Sequence, residues 1–240
     1  MPGGIINIMR RPLEGQNKNV LRAAINALEQ RGVRGNVTSS LTTPDPTTGG
    51  NVMTTINHDS LSSMDDFLSA FADSEEIQDS WDQTAAMCKS VTTALLEHVV
   101  PMEGVPEGFQ PKYMVRHIFE AKRGRRQELI DGMLESRSRM GGIKPSILKP
   151  LGMVNRVRIT HVYENLEDLS TALNNQNPAS QKRRAEMIDL TDSNFRTISR
   201  IHYLHIEKSG WGLVALVAGM LVVMVGALQL NSDRRRASRL

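Results

Sequence analysis

Asn155–Tyr163 reads NRVRITHVY. Val157, Ile159 and Tyr163 fall on one side of an extended chain, and Arg156, Arg158 and Thr160 on the other. That period of two marks a half-buried strand. A strand needs paired neighbours to be stable. No second segment alternates as clearly, so this stretch reads as an extended arm or as a strand that pairs with another chain. The remaining segments follow a period near 3.6. The predicted fold is therefore mainly α: a small helical body, a flexible N-terminal arm, at most one isolated β-strand (about 155–163) and a single C-terminal transmembrane helix.

Upstream of the strand, Gln16 to Arg31 reads as an amphipathic helix carrying Val20, Leu21, Ala24, Ile25 and Leu28, with Gly32 placed to end it. Residues 35–60 are rich in Asn, Thr, Ser, Gly and Pro and show neither period, the signature of a linker. Helices resume at Ser62. One carries Met64, Phe67, Leu68 and Phe71, and a second starts at Ser74 and carries Ile77, Trp81, Ala85, Val91, Leu95 and Val99 up to Pro101. A third begins near Pro111, with Tyr113, Met114, Ile118 and Phe119, and a fourth runs from about Arg125 to Arg139. Downstream come a short helix over 165–173, a polar loop and a long helix over 183–207. The resulting segments are 1–34 (arm with amphipathic helix), 35–61 (linker), 62–174 (helical body), 175–210 (loop and juxtamembrane helix), 211–230 (transmembrane helix) and 231–240 (basic tail).

Residues 211–230, WGLVALVAGMLVVMVGALQL, contain no charge. Twenty residues at 1.5 Å each span about 30 Å, the thickness of a bilayer's hydrocarbon core. Trp211 sits at the boundary, while Ala215, Gly219 and Gly226 offer small residues for close helix approach. Arg234, Arg235 and Arg236 follow in the tail. With no apolar leader at the N-terminus, the layout is that of a single-pass, tail-anchored protein with its N-terminal part cytosolic. An organelle outer membrane and a viral or host membrane both suit it.

The net charge is only +3, but charge is sorted along the chain. Residues 61–88 hold seven acids and no base, whereas residues 108–160 hold twelve bases against four acids. From the second block, Lys112, Arg116, Lys122, Arg123, Arg125, Arg126, Arg156 and Arg158 form a candidate surface for an anionic partner, RNA or lipid. An acidic helix of one copy could meet a basic helix of the next, which suggests a homo-oligomer or a docked protein partner.

No catalytic motif is visible. The sequence has no glycine-rich phosphate loop, no HExxH, no GxSxG and no CxxC, and the single Cys88 has no evident base. No cofactor, metal or small-molecule substrate is called for, and the chain is not expected to be an enzyme. The first expectation is a tail-anchored membrane scaffold that self-associates or docks partners through segregated acidic and basic helices. A viral structural protein of matrix or nucleocapsid type is the second, and a single-span accessory subunit of an organellar membrane complex the third.

Overall fold

The computed structural model describes residues 3–42, 51–174 and 177–205. The chain opens with strand β1 (Gly4–Pro12), helix α1 (Asn17–Arg31), β2 (Gly35–Ser40), β3 (Val52–His58), helices α2 (Leu61–Asp73) and α3 (Glu75–Ala86), and β4 (Cys88–Val100). It continues with β5 (Tyr113–Ala121), α4 (Arg126–Ser138), β6 (Ser146–Pro150), β7 (Arg156–Tyr163), α5 (Leu166–Leu173), α6 (Pro178–Asp189) and β8 (Thr191–His205). The strands close into an antiparallel barrel in the order β1-β3-β2-β8-β5-β7-β6-β4. The two halves of the chain repeat one plan: strand, helix, two strands, a helix pair, strand. Each half makes a four-stranded sheet with the same internal order, β4-β1-β3-β2 and β8-β5-β7-β6. The sheets join at two seams, β2 with β8 and β4 with β6. Among the described residues, closure leaves no unpaired strand edge.

The mainly helical expectation is corrected: the fold is mixed α/β. Residues 88–100 were expected to continue the second body helix, because Val91, Leu95 and Val99 recur every four residues. The same run holds Val91, Thr92, Thr93, Val99 and Val100, branched side chains that fit a pleated surface better than a helix. Helix α3 therefore stops at Ala86 and β4 begins at Cys88. Residues 113–121 and 191–205 are likewise strands rather than helices. The expected flexible arm supplies β1, and the polar stretch after it supplies β2 and β3. Strand β7 is not isolated: it pairs with β5 and β6.

The reason is the barrel's two faces. Helices cover the outside of the sheet, where Ile6, Ile8, Val37, Val52 and Ile56 meet Val20, Ala24 and Leu28 of α1 and Met64 of α2. In the second half Phe119, Ala121, Ile147 and Val157 meet Leu129, Ile130 and Met133 of α4. The inner face carries a small apolar group, Ile5, Leu96 and Leu148, among buried polar residues that include Asn7, Asn36, Thr38, Thr55 and Thr160. Polar residues on alternate positions therefore point into the barrel, not to water. Gly35 marks how tightly β2 lies on β3: a Cβ there would stand 2.1 Å from the carbonyl oxygen of Thr55.

The membrane-anchored placement is corrected along with the helical body it was attached to. Among the described residues no helix is long and apolar enough to cross a membrane. The expected span at 211–230, with Trp211, Ala215, Gly219 and Gly226, and the tail arginines Arg234, Arg235 and Arg236 lie outside the described residues.

Candidate active site

On the helix-covered face of the first half, β1 presents Ile6, Ile8 and Arg10 in one row. Arg10 stands opposite Val52 of β3 and Val91 of β4. Helix α2 is capped by Ser60, whose hydroxyl accepts from the Ser63 backbone N–H while the Ser63 hydroxyl accepts from that of Ser60. Helix α3 is capped by the Ser74 hydroxyl, which accepts from the Ile77 N–H at 3.3 Å. Glu75 and Glu76 in its first turn suit the helix dipole. These two short helices bring Phe67, Phe71 and Trp81 over the row of β1.

They enclose a cavity of about 40 Å³, lined by Ile8, Arg10, Leu28, Phe67, Phe71 and Trp81, with Arg31 and Thr54 at its wall. Phe71 meets the Trp81 ring edge to face, centroids 5.3 Å apart. Arg10 is only 5 % exposed. Its Nη1 donates to Thr54 Oγ1 at 2.7 Å, and its guanidinium carbon lies 5.5 Å from the centre of the Trp81 ring. It forms no ion pair with any described carboxylate. Burial lowers its pKa to about 10, opposed by the Cys88 thiol and reinforced by the charge of Arg31. Arg10 therefore stays protonated at neutral pH, a cation without a described counter-ion in an aromatic cavity. Burial raises the Cys88 thiol, against the pull of Arg10, so it is not an activated nucleophile.

The matching face of the second half holds two half-buried histidines. His117 donates from Nε2 to Asn194 Oδ1 at 3.2 Å and packs on Phe119 at 4.1 Å, while the rings of His161 and Tyr163 lie 6.3 Å apart. Burial lowers both histidines to about 4, with Arg196 pushing the same way in each case. Among the described residues there is no cluster of three metal-ligating side chains.

The predicted anionic-partner residues are dispersed. Lys112, Lys122, Arg123 and Arg125 are exposed on loops flanking β5, and Arg125 pairs with Glu128 at 2.6 Å. Arg126 opens α4 and donates to the Val154 carbonyl at 2.7 Å, and Arg156 pairs with Glu120 at 2.8 Å. Arg123 and Arg126 do line one wide groove, but Glu97 and Asp192 share it. Arg116 and Arg158 are inside the barrel, 2 % and 7 % exposed. Docking of acidic on basic helices is therefore corrected: the acidic block does form α2 and α3, but much of the basic block is strand and loop. Arg10 belongs to no motif in the sequence. Its signal was the period of two with Ile6 and Ile8.

No protein family matches the sequence, and no curated protein does. Solved structures do match in fold. A candidate monooxygenase from Fusobacterium nucleatum superposes with a TM-score of 0.66 at 10 % identity, over 86 % of this chain and 95 % of that one. A candidate monooxygenase from Lactobacillus acidophilus gives 0.61 at 12 % identity, over 86 % and 97 %. An anthrone oxidase-like protein gives 0.60 at 10 % identity, over 84 % and 92 %. The expectation of a non-enzymatic scaffold without a small-molecule substrate is corrected on this likeness. The chain is an eight-stranded antiparallel α/β barrel that shares its fold with proteins named for oxidation chemistry.

Proposed function

We propose that the protein is an oxidoreductase of the monooxygenase type, acting on a compact aromatic substrate beneath α1, α2 and α3. The observation that carries this reading is Arg10: a buried guanidinium without a described carboxylate partner, fixed by Thr54 and Trp81 at the wall of an aromatic cavity. A cation so placed stabilises an oxyanion, and it lowers the pKa of a phenol or an enolisable ketone bound against it. The fold likeness to proteins named for oxidation chemistry supports the same class.

For an activated aromatic methylene the balance is simple: one methylene group and one dioxygen give one carbonyl group and one water. The two C–H bonds of the methylene supply all the electrons, one oxygen atom enters the carbonyl, and the other leaves as water with both hydrogens. Ionisation releases a proton to water and leaves an electron-rich enolate whose oxygen rests on Arg10. Trp81, Phe67 and Phe71 hold the ring and exclude water. The cavity of about 40 Å³ has room for roughly three waters, so a ring enters as Phe67 and Phe71 turn aside.

Anthrone is a suitable first probe. With the full chain, the reading predicts one dioxygen consumed per carbonyl formed, with one atom of labelled dioxygen in the product. Arg10→Met lowers kcat/KM by about 10²–10³-fold, the usual effect of losing an oxyanion donor, and Trp81→Ala raises KM. Absence of both binding and dioxygen uptake with anthrone and with a panel of phenols would overturn the reading.

A further inference from the structure

Five buried side-chain polar atoms among the described residues lack a hydrogen-bond partner. Four of them, Asn36 Oδ1, His98 Nδ1, Arg158 Nε and Thr160 Oγ1, belong to residues on the inner face of the barrel. The same face holds two buried guanidiniums. Arg116 of β5 donates to Thr38 Oγ1 of β2 at 3.3 Å and to Ser199 Oγ of β8 at 3.2 Å. Arg158 of β7 lies diagonally across from it. Thr160 stands directly opposite Arg116, and Arg158 directly opposite Ile118, which places the two arginine Cβ atoms about 7–8 Å apart. His98 completes the row through Leu148: His98 pairs with Leu148, and Leu148 with Arg158. Neither arginine makes an ion pair with a described carboxylate. Glu120, an acid on this face, is taken by Arg156 at 2.8 Å.

Two like charges in a closed barrel are costly, and hydroxyl groups do not neutralise them. Loss of a proton does not relieve the cost. Burial lowers Arg116 to about 10 and, reinforced by the charge of Arg116, lowers Arg158 to about 9. Both remain cationic at neutral pH.

We propose that the barrel interior is an anion site, in which a compact oxyanion of the carboxylate or phosphate class bridges the guanidiniums of Arg116 and Arg158. The fork of each arginine matches two oxygens of such an ion. The orphaned hydroxyl of Thr160 and Nδ1 of His98 supply further polar contacts. An eight-stranded barrel has room inside for little beyond its own side chains, which restricts the ligand to a small one. The site is separate from the cavity at Arg10, on the opposite face of the sheet.

The test uses the full chain, unfolded and refolded with HEPES as the only buffer anion, then titrated with sodium phosphate or sodium formate and followed by thermal melting. A closed barrel exchanges its contents slowly, so each ligand is also present during a parallel refolding. The site predicts a saturable rise in Tm of roughly 5–10 °C at a hundredfold excess over Kd. Arg158→Met abolishes the rise and melts higher than the parent in HEPES alone. Ser199→Ala, which loosens Arg116, weakens Kd about tenfold, and Arg10→Met leaves it unchanged. Saturation by phosphate alone identifies a dianion site, and saturation by formate alone a carboxylate site. A shift that grows without saturation, equal for both salts, is bulk salt action and overturns the proposal. Should Arg158→Met fail to fold, the parent and Ser199→Ala still decide it.

Discussion

Arg137 shows how much one buried side chain can hold. It lies on α4 at 8 % exposure. Its Nε donates to the Pro145 carbonyl and its Nη2 to the Pro101 carbonyl, both at 2.8 Å, and Glu103 pairs with it at 3.1 Å. One guanidinium thus ties α4 to the end of β4 and the start of β6. Arg139, two residues on, pairs with Glu135, and both side chains are exposed. Arg137→Met leaves carbonyls without donors and is expected to cost about 3 kcal/mol in urea unfolding. Arg139→Met is expected to stay within about 0.5 kcal/mol. Equal effects would mean that Arg137 is not the tie described. In the sequence the two read alike, as members of one basic block, because type and spacing carry no information about what a side chain's tip will reach.

Individual elements were legible to different degrees. Helix α1 is plain in the sequence, since Val20, Ala24 and Leu28 recur at four and Gly32 adopts φ 57°, ψ 24° to end it. The strands were obscured by the barrel's polar lining. In β5, Met114, Arg116 and Ile118 face inward while Val115, His117 and Phe119 face the helices, so neither side is uniformly apolar and the alternation fades. Arg10, the key residue of the candidate site, was hidden in β1 for the same reason. The histidines of β5 and β7 give these elements a pH signature. His117 is kept neutral by burial, with Arg196 of β8 and Arg184 of α6 adding to the effect against the bond to Asn194; His161 is kept neutral by burial, then by His117 and Arg196. Their folded pKa values of about 4 lie below the ordinary 6.5. Between those values the unfolded chain binds protons that the native one refuses. Stability should therefore be level above about pH 6.5 and fall as pH drops towards 4. Thermal melts across this window check it. His161→Phe should flatten the fall, and a variant that declines as steeply as the parent would show that His161 is not its source.

At the level of the whole molecule, two halves without recognisable sequence repetition adopt the same plan and seal each other's sheet edges. The repeat was not legible because each half meets its requirements with different residues: Arg10 beneath Trp81 of α3 in the first half, His117 and His161 on the matching face of the second. The seam registers, Thr38 with Ile201 and Glu97 with Lys149, join segments far apart in sequence, which no local pattern encodes. Charge sorting was real in sequence but did not become two opposed surfaces. The acids lie on α2 and α3, while the basic block is split between loops, helix ends and the barrel interior. That split provides the most direct test of the closed barrel. Phenylglyoxal modification of the native chain, read residue by residue by mass spectrometry, should label Arg123 and Arg125 quickly and leave Arg116 and Arg158 unlabelled until the protein is unfolded. Labelling of Arg116 and Arg158 at the rate of Arg123 would place them on an open surface and contradict the barrel.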